Sequence, residues 1–260
     1  MKFKFSGGLS RLNLRGINKS LKDWKEGLEL EATNTNNWNF IRGEVSDFHS
    51  AYDFEGEFMI FPTSNLSVSL ATGYIYGEIA QKETELFIER PVGMYTYIRP
   101  TKASAIPLVL NLYYFYPIQK NLHIFLKGGS GILWARYVER EGQKLETAEK
   151  FSYPILQTTS ATGQLFLGTI GITYAFQPGI SLFVESSYRF AKVSGFKGEN
   201  KKGESGTLFY FEEYNPDFNF WQAKNFLLSE EPSGENFRSV QKAVVDFSGF
   251  SIKIGFMINF

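Results

Sequence analysis

The sequence predicts an all-β fold, a single antiparallel barrel of eight strands that takes in residues 1–260. Three observations favour this fold. Apolar residues alternate with polar or small ones along eight segments, which is the period of a β-strand. Short turns rich in Pro, Gly and Asn alternate along the chain with long polar segments. Aromatic residues, which strands favour, make up 17% of the chain, with 26 Phe and 14 Tyr.

The two ends of the chain form the first and eighth predicted strands. From Phe250 to Phe260 the even positions are all apolar and the odd positions are mostly small or polar. The start, from Met1 to Gly8, alternates in the same way and lacks the long apolar run of a signal peptide. We therefore expect a mature, exported form from which a leader has been removed.

The other six strands form three pairs, each joined by a short turn. Their apolar stripes occupy 52–60 and 66–76, 106–116 and 122–134, and 166–176 and 180–190. The remaining connections, roughly 11–50, 79–97, 138–157 and 197–242, are long and polar, and we predict loops there. Short turns would thus lie at one end of the barrel and long loops at the other, which is typical of barrels that span an outer membrane.

Charge and hydropathy narrow the class of protein. The chain has 27 basic and 27 acidic residues and no Cys, which argues against a nucleic-acid partner and excludes cysteine metal sites. We predict no metal site and no cofactor. A mean hydropathy of −0.20 would also suit a soluble all-β protein. However, the outward stripes lack charge for about eleven positions above the short turns, the length needed to cross a bilayer.

The full prediction is therefore an eight-stranded antiparallel up-and-down transmembrane β-barrel with short periplasmic turns and long extracellular loops. Aromatic side chains mark both edges of its apolar band, where their rings suit the headgroup level. We predict two girdles in contact with outer-membrane lipid and lipopolysaccharide. The lower girdle holds Tyr114, Tyr116, Tyr174 and Phe176, and the upper one holds Tyr74, Tyr76, Trp134, Tyr188, Phe190 and Phe250.

Three segments carry a resemblance to a known group of proteins. They are the alternating stretch 249–256, the stretch 185–192 and the terminal aromatic residue. With these the chain resembles the small eight-stranded outer-membrane barrels of the OmpA/OmpX/OmpW-like superfamily. The resemblance implies a bacterial outer-membrane location. It also implies that Phe256, Ile258 and Phe260 act as the signal read by the barrel-assembly machinery.

Charged residues of both signs fall on the inward face of the predicted strands. These are Lys4, Asp53, Glu55, Glu57, Lys127, Glu185, Arg189 and Lys253. An eight-stranded barrel is just wide enough for side chains to fill it, so we expect a layer of ion pairs that plugs the lumen. The alternatives are a proton or ion path, or two carboxylates that act as catalytic acid and base.

Evidence for catalysis is weak, and we predict no catalytic residue. The two histidines are His49 and His123. His49 has Ser46, Asp47 and Ser50 nearby, a group that resembles the site of a lipid-modifying or proteolytic outer-membrane enzyme. The chain has no Gly-x-Ser-x-Gly motif to support it, so a solvated loop histidine is the favoured interpretation.

Loops 1 and 4 are the predicted functional surfaces. Apolar residues at helical spacing between Ile17 and Leu28 predict a short amphipathic helix, which either lies on lipopolysaccharide headgroups or caps the barrel mouth. The aromatic stretch 208–221 predicts strand extension, packing against loop 1, or a surface for a partner. We expect a non-enzymatic structural, binding or adhesion protein. The alternatives are a narrow channel for small or hydrophobic solutes and, third, a lipid-modifying enzyme.

Overall fold

The computed structural model describes residues 1–35, 37–148 and 150–260. Within those ranges it has seventeen strands, one α-helix and a 3₁₀ turn, Gln81–Glu83. In chain order these are β1 (Lys2–Arg11), α1 (Arg15–Asn34), β2 (Asn39–Gly43), β3 (Ser50–Ile60), β4 (Leu66–Ile79), β5 (Leu86–Arg90), β6 (Gly93–Ile98), β7 (Thr101–Gln119), β8 (Leu122–Leu145), β9 (Ser152–Gln177), β10 (Ile180–Phe190), β11 (Lys192–Ser194), β12 (Lys197–Asn200), β13 (Ser205–Asn215), β14 (Phe220–Leu228), β15 (Phe237–Lys242), β16 (Val244–Asp246) and β17 (Gly249–Asn259). Among the described residues, no helix has the length and apolar character needed to cross a membrane.

Eight of these strands close into a barrel, which confirms the predicted fold class. In order around the barrel they are β1, β3, β4, β7, β8, β9, β10 and β17, and β17 pairs with β1 to complete the circle. Every neighbouring pair is antiparallel. Short turns at 61–65, 120–121 and 178–179 join three hairpins. Gly179 has a φ of +85°, a conformation that favours glycine, so its position in the two-residue turn 178–179 has a steric cause.

The outer wall of the barrel is apolar and exposed. Leu110 is 61% exposed and Ile254 is 65% exposed, whereas their inward neighbours Val109 and Lys253 are buried. A continuous apolar belt around a closed barrel would be strongly unfavourable in water, since soluble proteins rarely expose large apolar patches. The wall is therefore the lipid-facing surface of a membrane-spanning barrel.

One predicted loop is wrong in its boundaries. We expected a loop over 138–157, but β8 continues to Leu145 and β9 begins at Ser152, and the two strands pair up to Gln143 and Ser152. Their inward side chains stay buried above the barrel wall, because other parts of the chain cover them there. Glu139 and Gln157, for example, are 2% and 1% exposed and hydrogen-bond to each other at 3.1 Å.

The long hairpin formed by β8 and β9 organises the other long connections. Strands β6, β5 and β2 add to the β8 side, and β12, β13 and β14 add to the β9 side. The segments predicted as loops 11–50, 79–97 and 197–242 thus contain regular structure. We call α1, β2, β5, β6 and β11–β16, with the ends of β8 and β9 beyond Trp134 and before Thr162, the outer module.

Helix α1 caps the mouth of the barrel, one of the two positions that the sequence left open. Leu12, Leu14, Ile17 and Leu21 are 2–3% exposed and pack on inward residues of the upper barrel such as Val109. Burial of each such aliphatic side chain contributes about 1.5–3 kcal/mol. The helix is therefore held by the apolar core of the barrel.

Candidate functional site: the barrel lumen and its mouth

A fully buried lysine lies at the centre of the lumen. Lys4 Nζ is 2.7 Å from Glu185 Oε2 and 3.2 Å from one oxygen each of Glu55 and Glu57. Its side chain has no solvent exposure. An ammonium in such a place is stabilised only by close pairing with carboxylates, because the loss of hydration costs several kcal/mol.

The other predicted lumen residues join the same network. Lys127 and Lys253 lie 3.0 Å and 2.8 Å from oxygens of Glu55, and Arg189 Nη1 lies 2.8 Å from Asp53 Oδ2. Four cations and four carboxylates are thus brought together: Lys4, Lys127, Arg189 and Lys253 with Asp53, Glu55, Glu57 and Glu185. The layer is neutral as a whole, which is the condition under which buried charges are tolerated.

Strand register explains how residues distant in sequence meet. Lys4 is directly opposite Glu57 across the β1–β3 pair, and Glu185 is opposite Lys253 across the β10–β17 pair. Strand β1 lies between β17 and β3, so these four side chains occupy adjacent inward positions around the wall. Directly opposite residues in an antiparallel pair have Cβ atoms about 5 Å apart, close enough for charged groups to pair.

Sequence reasoning missed the neutral partners of the layer. Glu57 accepts hydrogen bonds from Tyr113 Oη at 2.5 Å, from Asn111 Nδ2 at 2.8 Å and from the hydroxyl of Ser69. These residues occupy inward positions of β4 and β7, so strand parity is the signal that would have found them. Gly129 makes room for the amide, because a Cβ there would lie 2.0 Å from Asn111 Oδ1.

Apolar layers lie on both sides of the ion-pair layer. On the short-turn side, Met59, Phe115, Phe125 and Met257 are 0–5% exposed and pack together with Phe183. The ring centroid of Phe183 is 4.7 Å from Lys4 Nζ, a cation–π distance that links this layer to the charges. On the other side lies the upper core with α1. The lumen is thus filled by three stacked layers.

The predicted girdle and assembly residues lie on the outer wall. Tyr76 is half-buried and donates a hydrogen bond to Glu78, whereas the other nine girdle residues are 43–61% exposed, a set made up of Tyr74, Tyr114, Tyr116, Trp134, Tyr174, Phe176, Tyr188, Phe190 and Phe250. In the last strand, Phe256 is 43% exposed and Phe260 is 79% exposed, with Ile258 half-buried between them. Their roles toward lipid and the assembly machinery stay predictions.

Neither histidine has the surroundings of a catalytic group. His49 Nε2 lies 3.5 Å from Asp47 Oδ2 in an exposed position, with 42% of its side chain in solvent. His123 pairs with Pro117 and Thr173 next to a short turn. Over residues 1–35, 37–148 and 150–260, no group of three His, Asp or Glu side chains is placed to hold a metal ion.

Ion pairs fasten α1 to the rest of the outer module. Glu212 of β13 accepts from Lys19 Nζ and from Arg238 Nε, both at 2.5 Å. Burial alone would raise the pKa of Glu212, but these two hydrogen bonds lower it below its ordinary value. A buried pair that sequence reasoning missed, Arg99 with Glu139, joins β8 to the segment before β7, and Arg99 also donates to the hydroxyl of Ser20 on α1 at 3.3 Å.

No model of a known protein family matches the sequence, and no curated protein matches it. Among solved structures, the outer membrane protein OprG from Pseudomonas aeruginosa is similar to this chain over 100% of its length and 95% of the length of OprG, with 12% sequence identity and a TM-score of 0.43. The closed barrel, its apolar outer wall and its lumen filled by side chains are the architecture of the small eight-stranded outer-membrane barrels.

Proposed function

We propose that this chain is a closed, non-enzymatic outer-membrane barrel that presents its outer module at the cell surface in a structural, binding or adhesion role. The observation that carries the proposal is the three-layered filling of the lumen. Catalysis is not needed to account for any cluster described above.

The ion-pair layer supports a closed lumen. Lys4, Glu57 and Glu185 have side chains with no exposure, and each is within hydrogen-bond reach of an opposite charge. A hydrated ion would have to separate these pairs and leave buried charges without partners, which is strongly unfavourable. On both sides of this layer the lumen is packed with buried aliphatic and aromatic side chains.

The order of the outer module supports a surface role. The aromatic stretch that begins at Leu208 forms strands β13 and β14, so two of the three sequence hypotheses for it, strand extension and packing against loop 1, describe the structure. Phe209 and Phe211 are 5% and 4% exposed. A rigid scaffold that positions surface segments is a common basis for binding.

Conductance in planar lipid bilayers tests the closed lumen. The purified protein is reconstituted, and a porin reconstituted in a separate bilayer serves as the positive control for insertion. We expect no stable single-channel steps from this chain, because ions have no hydrated path. Stable, reproducible steps would contradict the proposal and favour the alternative, a narrow channel for small or hydrophobic solutes.

The same proposal includes the barrel-assembly machinery as a partner of the last strand. The rings of Phe260 and Phe3 lie 5.5 Å apart at the short-turn end of the barrel. We expect Phe260→Ala to reduce the amount of folded protein in the outer membrane, while Phe250→Ala, at the other end of the same strand, leaves it unchanged. Equal folded amounts for both variants, measured by heat-dependent gel mobility, would contradict a terminal signal.

A further inference from the structure

A basic cavity of about 520 Å³ opens beside the N-terminus of α1. Its wall includes Arg15, Gly16 and Lys19 of α1, Lys192 of β11 and Asn225 of β14. We call it the α1 cavity. Its volume falls within the 300–1,000 Å³ typical of small-molecule sites and exceeds what a bare inorganic anion needs.

Two cations at this cavity are free to bind a ligand. Among the described residues, Arg15 and Lys192 form no ion pair, whereas Lys19 is already paired with Asp23 and Glu212. The cavity also contains one carboxylate, Asp246, which lies directly opposite Lys192 across the β11–β16 pair but forms no ion pair with it within 4.0 Å. Its two oxygens accept hydrogen bonds from Asn13 Nδ2 at 3.3 Å and from the backbone N–H of Ser248 at 2.9 Å, so part of its charge is already compensated.

The helix end adds further donors. Leu14 provides no side-chain cap for α1, and the first turn of the helix has no acidic residue. The first backbone N–H groups of a helix lack partners within the helix, and they favour an anion there. Gly16 lines the cavity without a side chain to cover them.

Asn225 gives an independent indication of a ligand. Its side chain is 4% exposed and lines the cavity, yet within the described part of the chain its Nδ2 has no hydrogen-bond partner. An unpaired buried donor costs about 1–3 kcal/mol, so the amide of Asn225 would gain from a hydrogen-bond acceptor in the cavity. A ligand oxygen in the cavity would satisfy it.

We propose that the α1 cavity binds the phosphate group of a phosphorylated sugar. A phosphate offers several strong acceptor oxygens, which suit a guanidinium, an ammonium, an amide and a helix N-terminus that converge from different directions. The remaining wall of the cavity includes Tyr210 and Gln241, whose hydroxyl and amide groups suit the hydroxyl groups of a sugar. The inference adds a ligand class to the outer module and rests on the surface role proposed above.

Two kinds of molecule carry a phosphorylated sugar. One is the phosphorylated sugar headgroup of an outer-leaflet glycolipid, since Lys192 follows Phe190 of the predicted upper girdle by two residues. The other is a soluble sugar phosphate. The experiment therefore has a lipid arm and a soluble arm.

In the soluble arm, glucosamine 1-phosphate is titrated into the detergent-solubilised full-length protein by calorimetry. In the lipid arm, the thermal unfolding of the protein is compared in nanodiscs that contain lipid A or dephosphorylated lipid A. Saturable binding in the first arm, or a phosphate-dependent rise of the unfolding temperature in the second, supports the proposal and assigns the source. Absence of both overturns it.

Three variants test whether the ligand binds in the α1 cavity. Arg15→Gln/Lys192→Gln should weaken binding at least about 10-fold, because two charge-assisted contacts are lost. The control Lys22→Gln/Lys25→Gln removes the same amount of charge from positions of α1 outside the cavity and should bind as wild type does. Equal weakening in the control would contradict the site. Asn225→Ala should weaken binding without lowering the unfolding temperature of the free protein, which a purely structural amide would lower.

Conductance and sugar-phosphate binding are separate measurements. A conducting barrel that still binds the probes would refute the closed lumen and leave the cavity intact. A closed barrel that binds neither probe would refute the cavity alone.

Discussion

Replacement of Lys4 by Met tests the ion-pair layer most severely. The substitution keeps the length of the side chain but removes the cation that lies 2.7 Å from Glu185 and 3.2 Å from Glu55 and Glu57. The layer then holds three cations and four carboxylates, so one buried negative charge loses its compensation. Breaking a buried pair in this way costs about 3–5 kcal/mol. We expect a loss of stability of that size.

A second substitution separates charge balance from packing. Glu185→Gln alone leaves one excess positive charge, whereas Lys4→Met/Glu185→Gln is neutral again. The double variant should therefore lose about 2 kcal/mol less than the sum of the two single losses, a coupling typical of contacting groups. Lys102→Met is the matched control, since Lys102 pairs with Glu78 at 2.8 Å on the surface and such pairs contribute at most about 1 kcal/mol.

The measurement is urea-induced unfolding in lipid vesicles, followed by tryptophan fluorescence. A loss below about 1 kcal/mol for Lys4→Met would place the lysine in the range of exposed pairs and refute the buried layer. Strictly additive single losses would refute the charge balance.

Three further outcomes follow from the structure. Gly129→Ala should cost about 1–3 kcal/mol, because its Cβ would displace a buried amide from its carboxylate, whereas Gly128→Ala meets no atom within 4 Å and should be neutral in the same unfolding assay. Leu21→Ala, under the helix cap, should cost about 2–5 kcal/mol, and Glu26→Ala on the exposed face of the helix should fall within about 0.5 kcal/mol of wild type. The depressed pKa of Glu212 predicts stability that is complete above the ordinary value of 4.5 and is lost as the pH falls through the lower folded-state pKa. The unfolding temperature of Glu212→Gln should therefore fall less than that of wild type on acidification. If the unfolding temperatures of the two proteins fall in parallel with pH, the ion pairs of Glu212 with Lys19 and Arg238 do not stabilise the position of α1.

Strand parity predicted the barrel and the contents of its lumen. Once Lys4 and Glu57 are assigned to the inward face, the antiparallel pairing of their strands brings them together. The register of this pairing is strongly specified, because a shift by one residue would turn every inward side chain of a strand to the lipid. The same parity applies to Asn111 and Tyr113, which were overlooked although they lie on the inward positions of β7.

The outer module was beyond the reach of local patterns. Gln157 on β9 accepts from the backbone N–H of Leu227 at 2.9 Å and donates to the carbonyl of Asn225 at 2.8 Å. Nothing in the alternation of either segment specifies this pairing across about 70 residues of chain, because it depends on tertiary packing. For the same reason the helical spacing of 17–28 is compatible with two positions of α1, and local patterns do not reveal the basic cavity at its N-terminus.

We infer that the exposed apolar wall faces lipid and that the outer module lies outside the bilayer. Of the four tryptophans, Trp134 lies on the outer wall with 45% exposure, and Trp24 is on the buried face of α1. Fluorescence quenching by brominated phospholipids measures which indole contacts lipid. We expect strong quenching in the wild type and its loss in Trp134→Phe. Quenching that persists in Trp134→Phe, or is absent from the wild type, would contradict this placement in the membrane.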